Sequence, residues 1–145
     1  MTPLRVLNRT KGTVLGSRIR LADDLLSRLR GFMFRNGPAA GEGILLSPCQ
    51  AVHMFGVSFP LDIVFIDEGG RVVSLYPGLE PRRWTPLHRT ASHALELPAG
   101  MIDRTRTEVG DALFWTPAGD DLEANPLPDA ERNGDGTQNA ARKPA

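Results

Sequence analysis

Cys49, His53 and Asp62 stand in one apolar stretch, residues 49–67, that holds the only cysteine of the chain and one of its three histidines. A thiol beside an imidazole base can become a nucleophile. The spacing argues against that pair. Pro48 and the β-branched and aromatic neighbours favour an extended segment, in which residues four apart share a face but lie roughly 13 Å apart at about 3.3 Å per residue, beyond proton-transfer reach. Cys49 therefore reads as a small buried apolar group. A metal site drawn from Cys49, His53, His88 and His93 has suitable atoms but no tight ligand pair such as C-x-x-C. No metal and no cofactor is expected.

Asp62 asks for more explanation, because an ionised carboxylate among apolar strand residues costs several kcal/mol unless it is hydrogen-bonded or paired. It is either a structural anchor, accepting bonds from loop N–H groups or from Arg30, or a ligand-binding carboxylate at the mouth of the sheet. Glu96 alternates with Leu95 and Leu97, so it is either solvated or shares a cavity with Asp62. Two carboxylates in one cavity would resemble the acid/base pair of glycoside-cleaving enzymes. Arg82-Arg83-Trp84 combines guanidinium charge with an aromatic face, suited to an anion or to stacking a sugar or base. Asp111, after Gly110, is the type of residue that bonds nearby backbone N–H groups at a turn.

The elements that must position these residues are mostly strands. Residues 4–7 and 13–21 form an opening hairpin about the turn Thr10-Lys11-Gly12. Residues 22–31 have a helical pattern, with Asp23 and Asp24 in the first turn, Arg28 and Arg30 in the last and Gly31 as the stop; at this length the helix needs a sheet to lie on. Strands are predicted over 43–47, 51–55 and 61–66. The last is apolar on both faces except at Asp62, the mark of a central strand. A turn at 67–70 leads to a partner strand over 71–76. Residues 77–88, broken by Pro77, Gly78, Pro81 and Pro86, read as a long exposed loop, a type often functional. Residues 91–97 and 112–115 complete the strands, with a short helical turn within 101–107.

At 145 residues the prior is one domain with one core. Formal charge is zero, with 17 basic and 17 acidic residues. Through Thr116 the balance is 14 basic to 11 acidic, and beyond it 3 to 6. A surplus of three spread over a domain is not the clustered basic face that nucleic acid requires. The N-terminal sequence lacks a secretory h-region, and no apolar run nears the roughly 20 residues that span a bilayer. A cytoplasmic, soluble protein is expected, without membrane or nucleic-acid partners and with its protein partners unknown. Residues 1–116 are expected to form the domain. The acidic, Pro-rich residues 117–145 are expected to be disordered, having too few large apolar groups to offset ordering entropy.

Several segments, in order, carry a resemblance: Arg30-Gly31-Phe32-Met33-Phe34-Arg35, Gly43-Ile44-Leu45, Cys49 to His53, Phe59-Pro60-Leu61-Asp62 through Asp67, Gly70-Arg71-Val72-Val73, Leu95-Glu96-Leu97-Pro98-Ala99-Gly100, and Gly110-Asp111. Together they resemble the prokaryotic family known as domain of unknown function 192, over residues 15–114. The resemblance implies a compact β-rich, barrel-like fold with little helix and implies no reaction. Gly56-Val57-Ser58 stands where family members often carry a bulky residue, so a pocket there would be shaped differently. The fold expected is mainly β, α+β with one short helix, in a compact barrel-like antiparallel sheet. The leading functional expectation is a non-catalytic module binding a small polar ligand, such as a saccharide, near His53, Asp62, Trp84 and Glu96. Arg30, Asp62 and Asp111 are expected as polar anchors. The alternatives are a protein-interaction or assembly accessory and a hydrolase using Asp62 and Glu96.

Overall fold

The computed structural model describes residues 2–22 and 37–119. Seven strands make one sheet: β1 (Leu4–Asn8), β2 (Thr13–Ala22), β3 (Glu42–Leu46), β4 (Leu61–Ile66), β5 (Val72–Leu79), β6 (His93–Pro98) and β7 (Leu113–Pro117), with a single-turn helix, α1 (Met101–Arg104), between β6 and β7. The order across the sheet is β5-β4-β6-β3-β2-β1-β7. The sheet curls into a half-barrel. All neighbouring pairs run antiparallel except β2 and β3, which are parallel.

The curl brings the two outermost strands together at one end. Arg71 and Ala112 form a bridge there, flanked by Leu113 N–H donating to Gly70 O at 2.8 Å and Val72 N–H donating to Asp111 O at 2.9 Å. Edge hydrogen-bonding groups that would otherwise face water are thereby used up at that end.

All six residues of β4 are buried, as expected of a strand apolar on both faces. Val64 and Ile66 enter the cluster inside the curl with Val6, Leu15, Ile19 and Leu95. Leu61, Ile63 and Phe65 enter a second cluster on the outer face, with Ile44, Val52 and Met54. Each such side chain, fully buried, contributes about 1.5–3 kcal/mol. Val52 and Met54 belong to a segment that crosses the outer face as one arm of a paired ribbon.

Three elements differ from the sequence expectation. Residues 51–55 alternate between outward and buried side chains as a strand would, but their pairing is confined to a bridge between His53 and Trp84, because Pro48 and Gly56 leave no length for a ladder. The strand from Val72 runs through Pro77 and Gly78 to Leu79, since a bulge accommodates both residues. Ala22, expected to open the helix, closes β2, where it is buried opposite Leu46. The rest of the expected helix, Arg30 included, lies outside the described residues, as does the tail beyond residue 119.

Candidate functional site

Asp62 is fully buried and lies opposite Leu97, so its side chain points into the curl. Its carboxylate accepts three backbone N–H bonds: Gly78 to Oδ1 at 2.8 Å, Gly100 to Oδ2 at 3.1 Å and Ile102 to Oδ2 at 2.7 Å. Local sequence aims each donor. The β4–β5 register slips by one residue between Ile63↔Tyr76 and Leu61↔Leu79, a bulge at Pro77-Gly78. Proline has no N–H to lose there, and Gly78, at φ 60°, takes the left-handed backbone that turns its N–H inward. Gly100, at φ 100°, opens α1 without a side-chain cap of its own. Asp62 supplies the cap from β4, satisfying donors that a helix start leaves unpaired.

Glu96 is buried too, but it lies opposite Ile63 on β4 and Ile44 on β3. Since successive strand residues face opposite ways, Glu96 leaves the sheet on the outer face and Asp62 on the inner. The geometry does not bring the two carboxylates into one cavity. Two open depressions, of about 450 Å3 beside Cys49 and Leu87 and about 410 Å3 between Pro77 and Arg106, are lined by neither carboxylate.

A second polar centre sits at the joined end of the sheet. Asp111 Oδ2 accepts from Asn8 Nδ2 and from the Glu108 backbone N–H, both at 2.9 Å, and Lys11 Nζ lies 3.0 Å from Oδ1 and 2.9 Å from Oδ2. Burial pushes the Asp111 carboxyl up, but the bonds from Asn8, Lys11 and Glu108 outweigh it and hold the group below its ordinary value of 3.8. These contacts tie the β1–β2 turn to the start of β7. Nearby, His93 Nδ1 is 2.7 Å from Ser47 Oγ and its ring meets Trp115 edge-on. Burial lowers the His93 pKa below 6.5, opposed in part by the negative charge of Asp67. His88 Nε2 is 2.6 Å from the Tyr76 hydroxyl, so the three histidines stand in separate surroundings. Among the described residues no three His, Cys, Asp or Glu side chains are grouped to hold a metal.

The outward-facing chemistry lies on the ribbon. Its two arms are joined by Met54 N–H to Arg83 O (2.8 Å), Thr85 N–H to Val52 O (2.9 Å) and His88 N–H to Gln50 O (2.8 Å). Val52, Met54 and Thr85 point inward and are buried, which leaves His53 half-buried and Phe55 and Trp84 outside. Phe55 is 52% and Trp84 67% exposed. Their near-parallel rings are 6.0 Å apart, inclined by 29°, and the His53 ring is 5.4 Å from Phe55. Of the residues expected at a site, the structure brings together His53 and Trp84 on the ribbon, sets Glu96 on the outer face of the sheet that the ribbon crosses, and places Asp62 inside the curl. Phe55 was not singled out from sequence. The alternation over 51–55, with 51, 53 and 55 on one side, was the signal for it.

With this geometry in view, the family model of domain of unknown function 192, described as Uncharacterized ACR, matches residues 6–115. The chain belongs to this family. A UPF0127 protein of Thermococcus kodakarensis is 32% identical over 126 residues, covering 84% of this chain and 80% of the relative. A UPF0127 protein of Pyrococcus furiosus is 32% identical over 113 residues, covering 76% and 97%. Among solved structures, a protein of unknown function from Novosphingobium aromaticivorans superposes with a TM-score of 0.65 at 27% identity, covering 78% of this chain and 84% of that one. The fold is thus shared with the Novosphingobium structure over most of this chain. Among the described residues, no helix is long and apolar enough to cross a membrane.

Proposed function

We propose that this protein is a non-catalytic saccharide-binding module whose recognition face is the ribbon carrying His53, Phe55 and Trp84. The observation that carries this reading is the exposed, near-parallel Phe55 and Trp84 pair. Two large rings stacked at 6.0 Å and both open to water present an exposed aromatic face of the kind that takes the C–H face of a pyranose. The backbone beneath them is fixed by inter-arm hydrogen bonds and by the burial of Val52 and Met54, so little ordering is needed on binding.

Size favours a small ligand over a protein partner. Phe55, Trp84 and Leu87 are the large apolar residues exposed on this ribbon, a patch on the scale of the few hundred Å² common on monomers, against roughly 800 Å² per partner in a standard protein interface. An assembly role remains the second reading, resting on Leu87 extending the ring pair. The hydrolase reading loses its support with Asp62 and Glu96 on opposite faces.

The test is a glycan array probed with the full chain and with Trp84→Ala and Phe55→Ala. At least one glycan class should be retained by the wild type and weakened about tenfold or more, about 1.4 kcal/mol, in each variant. No retained glycan, or retention indifferent to both substitutions, overturns the reading.

A further inference from the structure

The turn that ends the ribbon adds something the ring pair does not. Arg83 N–H donates to Glu80 O at 3.2 Å, closing a four-residue turn with Pro81 second and Arg82 third. Arg82 has φ 68°. This is the third position of a type II turn, where glycine is the unstrained residue and an L side chain is held in the disfavoured left-handed region. Arginine at such a position works against the fold, and such strain gathers at functional positions. The Arg82 backbone N–H reaches Met54 O at 3.3 Å, so the turn folds back on the arm that carries His53 and Phe55.

Charge points the same way. Residues 49–59 carry no Lys, Arg, Asp or Glu, whereas residues 80–90 carry Arg82, Arg83 and Arg89 against Glu80. Arg82 and Arg83 are exposed; Arg82 sits in the turn itself, whereas Arg83, opposite Met54 across the ribbon, alternates with Trp84 and leaves the arm on the other side. Resting on the saccharide reading above, we infer that the ligand is acidic, a uronate-type saccharide whose carboxylate is taken by Arg82 while its ring lies against Trp84 and Phe55. A guanidinium pairs a carboxylate through two parallel N–H bonds, which a neutral sugar cannot reciprocate. The aromatic platform supplies shape and the turn supplies the sign of the ligand.

The experiment divides the array into uronate-bearing and neutral glycans and then titrates an oligogalacturonate and its carboxyl-reduced, neutral counterpart against the full chain at low and raised salt. The acidic form should bind about tenfold more tightly, and the gap should narrow as salt screens it. Arg82→Gly should erase the preference, leave the neutral form's weaker binding in place, and melt no lower than the wild type because the turn is relaxed. Arg83→Gln, on the other side of the arm from Trp84, should leave the preference in place; loss of the preference in Arg83→Gln but not in Arg82→Gly overturns the assignment to Arg82. Equal binding of acidic and neutral forms overturns the inference and leaves the saccharide reading standing. Retention of no glycan at all overturns both. Capture of an acidic peptide in place of any glycan, with the same dependence on Trp84, replaces the saccharide by a protein segment and also overturns it. A large fall in melting temperature for Arg82→Gly would show Arg82 to be a structural residue and would remove the argument from strain.

Discussion

Asp62 and Trp84 are extremes of one molecule: the carboxylate is 0% exposed and accepts three backbone N–H bonds, while Trp84 is 67% exposed and rests against Phe55 and the ribbon beneath it. Both carry chemistry-bearing groups at points where strands meet loops. The inner one has spent its capacity on the fold, holding the β5 bulge and the start of α1 against β4. The outer one has spent only its backbone, and its side chain still faces solvent. A residue type that can do chemistry is therefore informative about function only after its hydrogen-bonding capacity has been accounted for.

The sharpest way to break this contrast is at Asp62. Asp62→Asn keeps the volume but sets an amide donor against backbone donors, and Asp62→Ala leaves Gly78, Gly100 and Ile102 without their acceptor. At about 1–3 kcal/mol for each buried group left unpaired, Asp62→Ala should destabilise by about 3 kcal/mol or more, and Asp62→Asn by somewhat less, in denaturant unfolding of the full chain. A loss under about 1 kcal/mol in Asp62→Ala would mean that the carboxylate is not the anchor its geometry makes it.

Asp111 comes next. Among the described residues it differs from Asp62 in having a cationic partner, Lys11, with 22% of that side chain exposed, so water can replace part of what is lost. Asp111→Ala should cost about 2 kcal/mol and loosen the joined end, where amide exchange at Leu113 and Val72 should speed up. Because the folded Asp111 carboxyl titrates below 3.8, its contribution is present above that value and disappears as pH falls through the folded pKa. Acid unfolding below pH 3.8 should be less steep in Asp111→Asn than in the wild type.

How far the sequence exposed these centres depended on the range of the interactions. Leu61–Ile66 was legible to the residue because its evidence is local, apolar side chains on both faces between a Phe59-Pro60 entry and an Asp67 turn. That Asp62 needed donors was equally legible. Which donors was not, since Gly78, Gly100 and Ile102 are 16, 38 and 40 residues away and are aimed by a bulge and two left-handed glycines. Glu96 illustrates the same limit: its alternation with Leu95 and Leu97 was visible, but the face it takes relative to Asp62 is set by the register of β6 on β4. The ribbon was misread in length more than in kind. Its period of two was present over 51–55, yet a partner arriving from residues 82–88, beyond three prolines, could not be anticipated, and so Phe55 went unmarked beside Trp84.

His93 gives a smaller effect inside the curl. Its folded pKa lies below 6.5 because burial disfavours the imidazolium, so the unfolded chain binds more protons as pH drops below 6.5, and stability declines through that window down to the folded pKa. The melting temperature should fall between neutral pH and pH 5 in the wild type and should flatten there in His93→Gln, which retains a partner for Ser47. An unchanged slope in the variant would assign that titration to another group.

The smallest expected effect is the most discriminating. Trp84→Ala removes the largest exposed ring of the ribbon but no backbone hydrogen bond, and the inward side of the arms, Val52, Met54 and Thr85, is untouched. Substitutions of this type away from the core usually change stability by no more than about 0.5 kcal/mol, with a further small loss from the contact with Phe55, about 0.5–1.5 kcal/mol for a well-formed aromatic pair and at the low end of that range at a 6.0 Å separation. Stability should thus fall by less than about 1 kcal/mol while glycan retention collapses. Asp62→Asn should show the reverse, a large stability loss with the ribbon's binding retained in whatever fraction stays folded. If Trp84→Ala instead unfolded the protein as readily as Asp62→Ala, the outward rings would be part of the fold's support, and the division between an inner polar anchor and an outer recognition face would collapse.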